Sequence, residues 1–213
     1  MIMLLEEIFK LTRADYSDAF NLRIQRGISW LKKAYDLQED FDLHFISLWI
    51  SFNAIFAQDE SAARDAFNLF LTSLCAKDHE GKIERILWKK YRQPVQVLMQ
   101  QKMLYPSYWD YQNQKISLEQ CQICLAQEQQ KQEQAVQQRD TLCLLSLLFQ
   151  RLQTLHKQAL QGGMVYGSAM QRKYLQGSCQ VLGALLPVFI LLLIENAQAM
   201  DLGKPYYPAA QAC

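Results

Sequence analysis

Apolar residues recur at every third or fourth position along most of the chain, which is the spacing that places them on one face of an α-helix. One predicted helix has Ser17 or Asp18 as its N-cap and carries an apolar stripe of Ile24, Ile28, Leu31 and Tyr35. A later helix has a longer stripe, formed by Leu142, Leu145, Leu148, Phe149, Leu152, Leu155, Ala159 and Leu160. No alternating pattern typical of strands competes, so the sequence predicts an all-α bundle.

The segment from Phe41 to Ala57 is apolar on nearly every side, as expected of a helix at the centre of a bundle. We predict that its only wet stripe contains His44, Ser47 and Ser51. Asn53 points away from that stripe, so we expect it to be buried with a hydrogen-bonding partner. An unpaired buried amide would cost about 1–3 kcal/mol.

Capping and breaking residues mark the remaining elements. The pattern predicts a helix over 82–92 that is stopped by Pro94, which can open the next helix. Two further predictions are a helix capped by Ser61 and an aromatic loop at Pro106–Asp110. A last long helix should be kinked at Pro187.

Ser117 and Gln120 form a predicted capping box at the start of a polar, glutamine-rich stretch. Residues 119–138 are consistent with either a solvated helix or a mobile arm. At the other end of the chain, residues 201–213 are expected to form an extended tail. No linker or repeat divides the sequence, so residues 1–213 are predicted to form one helical domain.

The composition narrows the function classes. Half of the 213 residues are hydrophobic, which favours a globular protein over a disordered one. The formal net charge of +1 excludes strong bulk attraction to nucleic acid but permits local basic patches.

The cysteines predict neither a metal site nor a cofactor. Cys121 and Cys124 form a CxxC, but there is no second pair and no nearby histidine, whereas a zinc site normally needs four ligands. Without a signal peptide, the thiols are expected to be reduced and the protein cytoplasmic. The apolar run from Val181 to Ile194 is short for a membrane span and contains Pro187, so we expect a buried helix and no membrane.

Basic residues at helical spacing form local patches. Arg23, Arg26 and Lys33 project to one side of their helix with Trp30 among them, a pattern that can track an RNA backbone and stack a base. The alternative is a solvated face with Trp30 tucked into the bundle. Lys82, Arg85, Lys89 and Arg92 form a similar stripe, and Arg172 and Lys173 lie near a glycine turn.

Four segments occur in an order that resembles bacterial HEPN-domain proteins. They are RGISWLKKA, SLWISFNAIFA, YWDYQN and QGGMVYGSAMQRKYLQGSCQVLGALLPVFI, and the resemblance covers about Arg26 to Tyr207. It implies a HEPN-like antiparallel helical bundle with additional peripheral helices. It also implies a metal-independent endoribonuclease, in which a ribose 2′-hydroxyl attacks the adjacent phosphate, with RNA near the glycine turn.

The sequence departs from the family where that chemistry would occur. HEPN proteins usually read Arg-Leu-x-x-Leu-Arg-Asn-Gln-x-x-His-Gly-Gly. When this chain is aligned on Gly162-Gly163, His156 replaces the inner arginine, Lys157 the asparagine and Gln161 the histidine. Glutamine cannot exchange a proton as histidine does near neutral pH, so the acid–base group is missing in this register.

A second register remains open, because Arg151 and His156 themselves have the spacing of an arginine, four residues and a histidine. The two lie about 140° apart on a regular helix, as the family pair does. Arg151, however, matches the family's outer arginine. The alternative interpretation of His156 is a satisfied core or interface histidine on an apolar face.

The resemblance therefore leaves three functions open. The first is an RNA-associated binding or regulatory module with a degenerate motif, in a toxin–antitoxin or phage-defence setting. The second is an active endoribonuclease using His156 with Arg151 or Lys157. The third is a non-catalytic, dimeric interaction protein. The resemblance further implies a homodimer and, as partners, RNA and an antitoxin or nucleotidyltransferase.

Overall fold

In the computed structural model, the described residues are 2–56, 63–200, 202 and 204–208, and they form helices without any strand. The all-α prediction is confirmed. The ten α-helices of the described residues are α1 (Ile2–Thr12), α2 (Asp18–Asp36), α3 (Phe41–Phe56), α4 (Ala63–Lys77), α5 (Lys82–Arg85), α6 (Arg92–Gln100), α7 (Pro106–Gln112), α8 (Leu118–Gln138), α9 (Thr141–Leu160) and α10 (Ala169–Glu195).

The chain divides into two compact units. One contains Met1–Ile83 together with Leu182–Cys213, and the other contains Glu84–Val181. We call them the terminal unit and the central unit. The division falls within α10, whose residues 169–181 belong to the central unit and 182–195 to the terminal unit.

In the terminal unit, α2 packs along α3. Helix α2 begins as predicted, because the Ser17 side chain accepts a hydrogen bond from the N–H of Phe20. Ile24, Ile28 and Leu31 are buried, as the stripe predicted. Tyr35, the last residue of the predicted stripe, is 39% exposed. It lies in the last turn of α2, next to the end of the helix at Asp36.

The predicted orientation of α3 was wrong. Ser47 and Ser51 are buried, and Asn53 is only half-buried. The Ser51 hydroxyl donates a 2.7 Å hydrogen bond to the carbonyl of Gly27 on α2. A side chain on Gly27 would place its Cβ 2.5 Å from Ile55 Cγ2, so the two helices approach closely through small residues. The serines therefore mark a helix–helix contact with its own hydrogen bond. In the sequence pattern alone, such a contact looks the same as a solvent-exposed polar stripe.

The C-terminal half of α10 supplies much of the terminal unit's core. Pro187 lies inside the helix, as predicted, and Phe189 packs edge-on against Phe70 at 6.5 Å between ring centroids. By length and composition α10 is the one described helix that is able to cross a membrane, yet 78% of its most apolar window is buried. This burial is compatible with a core helix of a soluble protein.

The structure describes residues 202 and 204–208 of the predicted C-terminal tail. Leu202 and Pro205 are buried, and residues 204–208 form neither helix nor strand. Ser61, the predicted cap, and residues 209–213 of the predicted tail lie outside the described residues.

In the central unit, the predicted helix over 82–92 is divided. Helix α5 passes into a π-helical segment, Ile86–Lys90, and α6 begins at Arg92. Pro94 lies in the first turn of α6, where a helix leaves its N–H groups unpaired and proline costs nothing, so Pro94 opens the helix as predicted.

The predicted aromatic loop at Pro106–Asp110 is helical instead, within α7. Pro106 occupies the first turn, where its fixed φ favours helix formation. The Trp109 indole N–H donates to the Met103 carbonyl at 2.6 Å, which anchors the segment. The density of aromatic residues obscured the helical spacing.

Residues 119–138 form a helix, α8, which settles the choice between helix and arm. Ser117 and Gln120 make the predicted capping box, with both reciprocal hydrogen bonds present. The stretch lacks Gly and Pro and is rich in glutamine, a good helix former. Cys121 and Ala135 are buried along α8, which packs against α9.

Candidate functional site

The C-terminal end of α9 carries the positions aligned with the ribonuclease motif. Helix α9 ends at Leu160, and Gly162 follows with a φ of +74°, a left-handed conformation that glycine adopts without steric cost. The Gly163 N–H donates to the Gln158 carbonyl at 2.8 Å, which closes the helix end. A glycine turn therefore ends α9.

A pocket of about 450 Å³ opens beside this helix end. Lys157 and Gln161 line it from α9, one helical turn apart. The opposite wall comes from α7 and the residues after it, including Trp109, Asp110 and Lys115. Lys115 pairs with Asp110 at 3.6 Å, and both side chains are largely exposed. The pocket thus combines two lysines, of which one is paired with a carboxylate, an indole and several amides.

One carbonyl group, that of Met103, links α7 to α9 beside the pocket. The Met103 oxygen accepts hydrogen bonds from the Gln158 Nε2 amide at 2.7 Å and from the Trp109 indole at 2.6 Å. Gln158 is 8% exposed and lines the pocket, and its Oε1 atom is buried without a hydrogen-bond partner. The shared carbonyl fixes the positions of Trp109 and Gln158 relative to each other.

Arg151 is fully buried, at 0% exposure, and precedes Lys157 on α9 by between one and two turns. Its guanidinium carbon lies 3.5 Å from the centroid of the Tyr105 ring, and its Nη2 atom lies 2.6 Å from a carboxylate oxygen of Glu128. That ion pair lacks the alignment of a hydrogen bond. Arg151 is therefore a buried structural cation on the side of α9 that faces α8.

His156 is half-buried and does not belong to the lining of the pocket. Burial, and then the neighbouring positive charge of Lys157, lower the pKa of His156 to about 4. The imidazole is therefore neutral at pH 7. It cannot supply the fixed positive charge that an arginine supplies at the aligned motif position.

The predicted RNA-binding residues of α2 lie in the terminal unit and differ in exposure. Arg23 is 1% exposed, and its guanidinium donates to the carbonyls of Leu202 and Lys204 at 3.0 and 2.8 Å. Arg26 donates to the Tyr207 carbonyl at 2.5 Å. Trp30 is 40% exposed, and Lys33 pairs with Asp36 at 3.7 Å on the surface.

Arg172 and Lys173 are exposed in the first turns of α10. Four large apolar side chains near the same turn are also exposed, each by more than half: Leu160, Val165, Tyr166 and Met170. The end of α9 and the following turn are therefore both apolar and cationic on the surface.

Sequence reasoning missed Trp109, Asp110 and Lys115 as pocket residues. They lie more than 40 positions before Lys157 in the chain, and no spacing rule links them to α9. The available signal was the group of aromatic residues itself, but it was interpreted as a loop.

In the described part of the chain, no group of three or more His, Cys, Asp or Glu side chains is arranged to hold a metal ion. Cys121 and Cys124 are free thiols on α8. No protein-family model, curated protein or solved structure matches this chain.

Proposed function

We propose that the chain is a HEPN-type, RNA-associated protein whose ribonuclease motif is degenerate, acting as a binding or regulatory module. The observation that carries the proposal is the pocket beside the glycine turn. Lys157 and Gln161, which occupy two aligned motif positions, line it together with Trp109. A lysine can contact a phosphate and an indole can stack a base, so the pocket suits a segment of single-stranded RNA.

The composition of this pocket supports binding without cleavage. Transfer of the 2′-hydroxyl proton needs a group that titrates near neutral pH, and Gln161 does not titrate. His156, with its pKa of about 4 and its position outside the pocket lining, is poorly placed to replace it. Asp110, the carboxylate of the lining, pairs with Lys115 at 3.6 Å. The RNA therefore meets cations and an aromatic ring, but no histidine of the kind that the family uses as its acid–base group.

Burial of Arg151 argues against the shifted register. A cation that stabilises a pentavalent phosphate must lie within reach of the substrate, whereas Arg151 has no exposed surface and faces Tyr105 and Glu128. An active enzyme built on Arg151 and His156 would need α8 and α9 to separate. The binding module is accordingly the first candidate and the active endoribonuclease the second.

The homodimer is proposed from the resemblance and from the exposed apolar residues beside the pocket. Leu160, Val165, Tyr166 and Met170 present apolar surface near Arg172 and Lys173. An apolar patch of this kind is typical of a protein contact. Light scattering at micromolar concentration is expected to give twice the 24.8 kDa chain mass, and the chain mass itself would exclude the dimer.

The setting rests on the resemblance. We propose a cytoplasmic protein of a toxin–antitoxin or phage-defence system, with an antitoxin or nucleotidyltransferase as its protein partner. The third candidate, a non-catalytic dimeric interaction protein, differs from the first in one measurable property, because it would not bind RNA.

RNA binding tests the proposal directly. Fluorescence anisotropy with a labelled, unstructured RNA in EDTA should show saturable binding by the wild type. Lys157→Gln and Trp109→Ala should each weaken it about tenfold, because each removes a phosphate contact or a stacking platform. Lys131→Gln is the matched control, since Lys131 is an exposed lysine of α8 outside the pocket lining. Equal affinity for all four proteins would exclude this pocket.

Restoring the motif tests the degeneracy. His156→Arg together with Gln161→His rebuilds the family's pair on the same helix end, and we expect EDTA-insensitive cleavage that leaves a 2′,3′-cyclic phosphate. The wild type should cleave at least about a hundredfold more slowly, the lower end of what general acid–base catalysis contributes. Each single substitution should stay well below the double. Wild-type cleavage that is lost in Arg151→Ala and His156→Ala would instead establish the second candidate.

A further inference from the structure

A second pocket of about 280 Å³ lies in the central unit, apart from the residues of the proposed RNA site. Three buried apolar residues from different segments, Leu87, Met99 and Leu144, belong to its lining, and we take them as its apolar floor. Trp88, Arg92, Gln132 and Arg139 also line it. No residue is shared with the pocket beside the glycine turn.

Two irregularities of the backbone border this pocket. The π-helical segment Ile86–Lys90 is closed by a hydrogen bond from the Tyr91 N–H to the Ile86 carbonyl at 2.9 Å. Arg139 has a φ of +52°, a left-handed conformation that is uncommon for a residue other than glycine. Short π-helical segments are frequent at functional sites. Trp88 belongs to the π-helical segment, Arg92 follows it by two residues, and Arg139 is the left-handed residue itself.

The pocket is built for an anion. Two guanidinium groups, of Arg92 and Arg139, belong to its lining, which contains no carboxylate. Arg139 is 4.0 Å from Glu84, but both side chains are more than half exposed, so this ion pair is weak and an incoming anion can replace it. Guanidinium groups hold phosphate through paired, directional hydrogen bonds.

Besides the two arginines, the lining offers a hydrogen-bond acceptor for a ligand. The Oε1 atom of Gln132 is buried without a hydrogen-bond partner, although its residue lines the pocket. A ligand N–H would satisfy it. Trp88 is held by its own hydrogen bond, from the indole N–H to Thr141 Oγ1 at 3.0 Å, so the ring forms a fixed wall.

We propose that this pocket binds a nucleoside monophosphate. The phosphate lies between Arg92 and Arg139, and the base lies on the apolar floor with one N–H directed to Gln132. The volume is just below the range of about 300–1,000 Å³ typical of drug-sized ligands, which fits one nucleotide and excludes a dinucleotide. The proposal does not depend on the function of the first pocket.

Calorimetric titration of the full chain tests this site. The probes are AMP, GMP, CMP and UMP, with ribose 5-phosphate and inorganic phosphate as ligands that lack the base. At least one nucleotide should bind at micromolar concentration and at least about tenfold more tightly than ribose 5-phosphate, because burial of a base on the apolar floor adds to the phosphate contacts. Absence of nucleotide binding, or equal affinity for inorganic phosphate, would overturn the proposal.

Substitutions in the lining test which residues contact the nucleotide. Arg92→Gln and Arg139→Asn should each weaken nucleotide binding about tenfold or more through loss of a charged hydrogen-bond donor. Asparagine is chosen at 139 because it tolerates the left-handed conformation. Gln132→Met should weaken nucleotide binding but leave ribose 5-phosphate unaffected. Lys131→Gln, beside Gln132 but outside the lining, is the matched control and should bind as the wild type does.

Circular dichroism establishes that each variant folds. Should Arg139→Asn unfold, Arg92→Gln decides the phosphate contact by itself, since Arg92 lies exposed at the start of α6. Nucleotide affinity that is unchanged in Arg92→Gln would place the ligand elsewhere. RNA binding measured on the same variants should be unchanged, so failure of this site and failure of the proposed RNA site are distinguishable.

Discussion

Among the side chains that the structure describes, each unit buries one arginine, and the two units compensate the buried charge by different means. In the central unit, Arg151 stacks on the Tyr105 ring and pairs with the carboxylate of Glu128. In the terminal unit, Arg23 donates to the backbone carbonyls of Leu202 and Lys204. Both side chains have lost nearly all contact with water. One is balanced by an opposite charge and the other is solvated by peptide dipoles.

The difference determines what each arginine stabilises. A buried ion that loses its counter-charge is strongly destabilising, so Arg151 and Glu128 tie α9 to α8. Carbonyl groups can satisfy a guanidinium only when the chain that carries them is ordered, so Arg23 holds Leu202 and Lys204 against α2. Burial, with a contribution from Arg26, lowers the pKa of Arg23, although an arginine remains charged at neutral pH.

His156 is a third basic side chain, and it differs from the two arginines because it is able to lose its proton. On the same helix as Arg151, it is half-buried beside Lys157, and its pKa falls to about 4. A histidine can avoid the cost of a buried charge by becoming neutral, whereas an arginine cannot. Loss of the counter-charge at Arg151, loss of the hydrogen bonds at Arg23 and protonation of His156 are therefore expected to lower the stability of the protein by decreasing amounts.

The largest effect is expected from Glu128→Gln. It leaves Arg151 buried without a counter-charge, and the free energy of unfolding should fall by about 3–5 kcal/mol. Urea unfolding followed by circular dichroism measures the change. Glu133→Gln is the matched control, because Glu133 is exposed on the same helix and should change stability little. A loss below about 1 kcal/mol for Glu128→Gln would mean that the Tyr105 ring, rather than the carboxylate, compensates the charge.

A smaller loss is expected from Arg23→Met, which keeps most of the apolar stem but removes both hydrogen bonds to the tail. Hydrogen bonds to charged groups contribute about 1.5–3 kcal/mol, and we expect a loss of stability in that range. Hydrogen exchange should rise locally at 202–208. Lys33→Gln on the same helix is the control, since Lys33 is exposed and pairs only at the surface. Unchanged exchange in the tail would show that Arg23 does not hold it.

The smallest effect is the pH dependence of His156. Its folded-state pKa of about 4 lies below the ordinary value of 6.5, so the unfolded chain binds the proton more readily. Stability is therefore full above pH 6.5 and should fall as the pH drops toward 4, by less than about 1.4 kcal/mol per pH unit. His156→Gln should reduce the difference in urea midpoint between pH 7.5 and 5.0. His44, whose pKa burial also lowers, accounts for a remaining part.

An unchanged pH dependence in His156→Gln would indicate that the imidazole is solvated in the folded protein. His79→Gln serves as the control, because His79 lies exposed after α4.

The sequence by itself determined the helical class, several helix ends and much of the core. Local interactions decide these features: the Ser17 cap, the Ser117–Gln120 capping box and the Gly162 turn each involve atoms a few residues apart. Helical spacing identified Ile24, Ile28 and Leu31 because one stripe of a helix is enough to form a core contact.

Only the tertiary structure decided which polar groups face water. The Ser51 hydroxyl is buried because Gly27 on another helix offers a carbonyl, and Arg151 is buried because Glu128 and Tyr105 lie opposite it. Arg23 depends on a partner 179 positions away. A charge or hydroxyl can leave water only when a partner replaces the lost hydration, and these partners are distant in sequence. Spacing along one helix therefore located these side chains, but the contacts between segments determined their role.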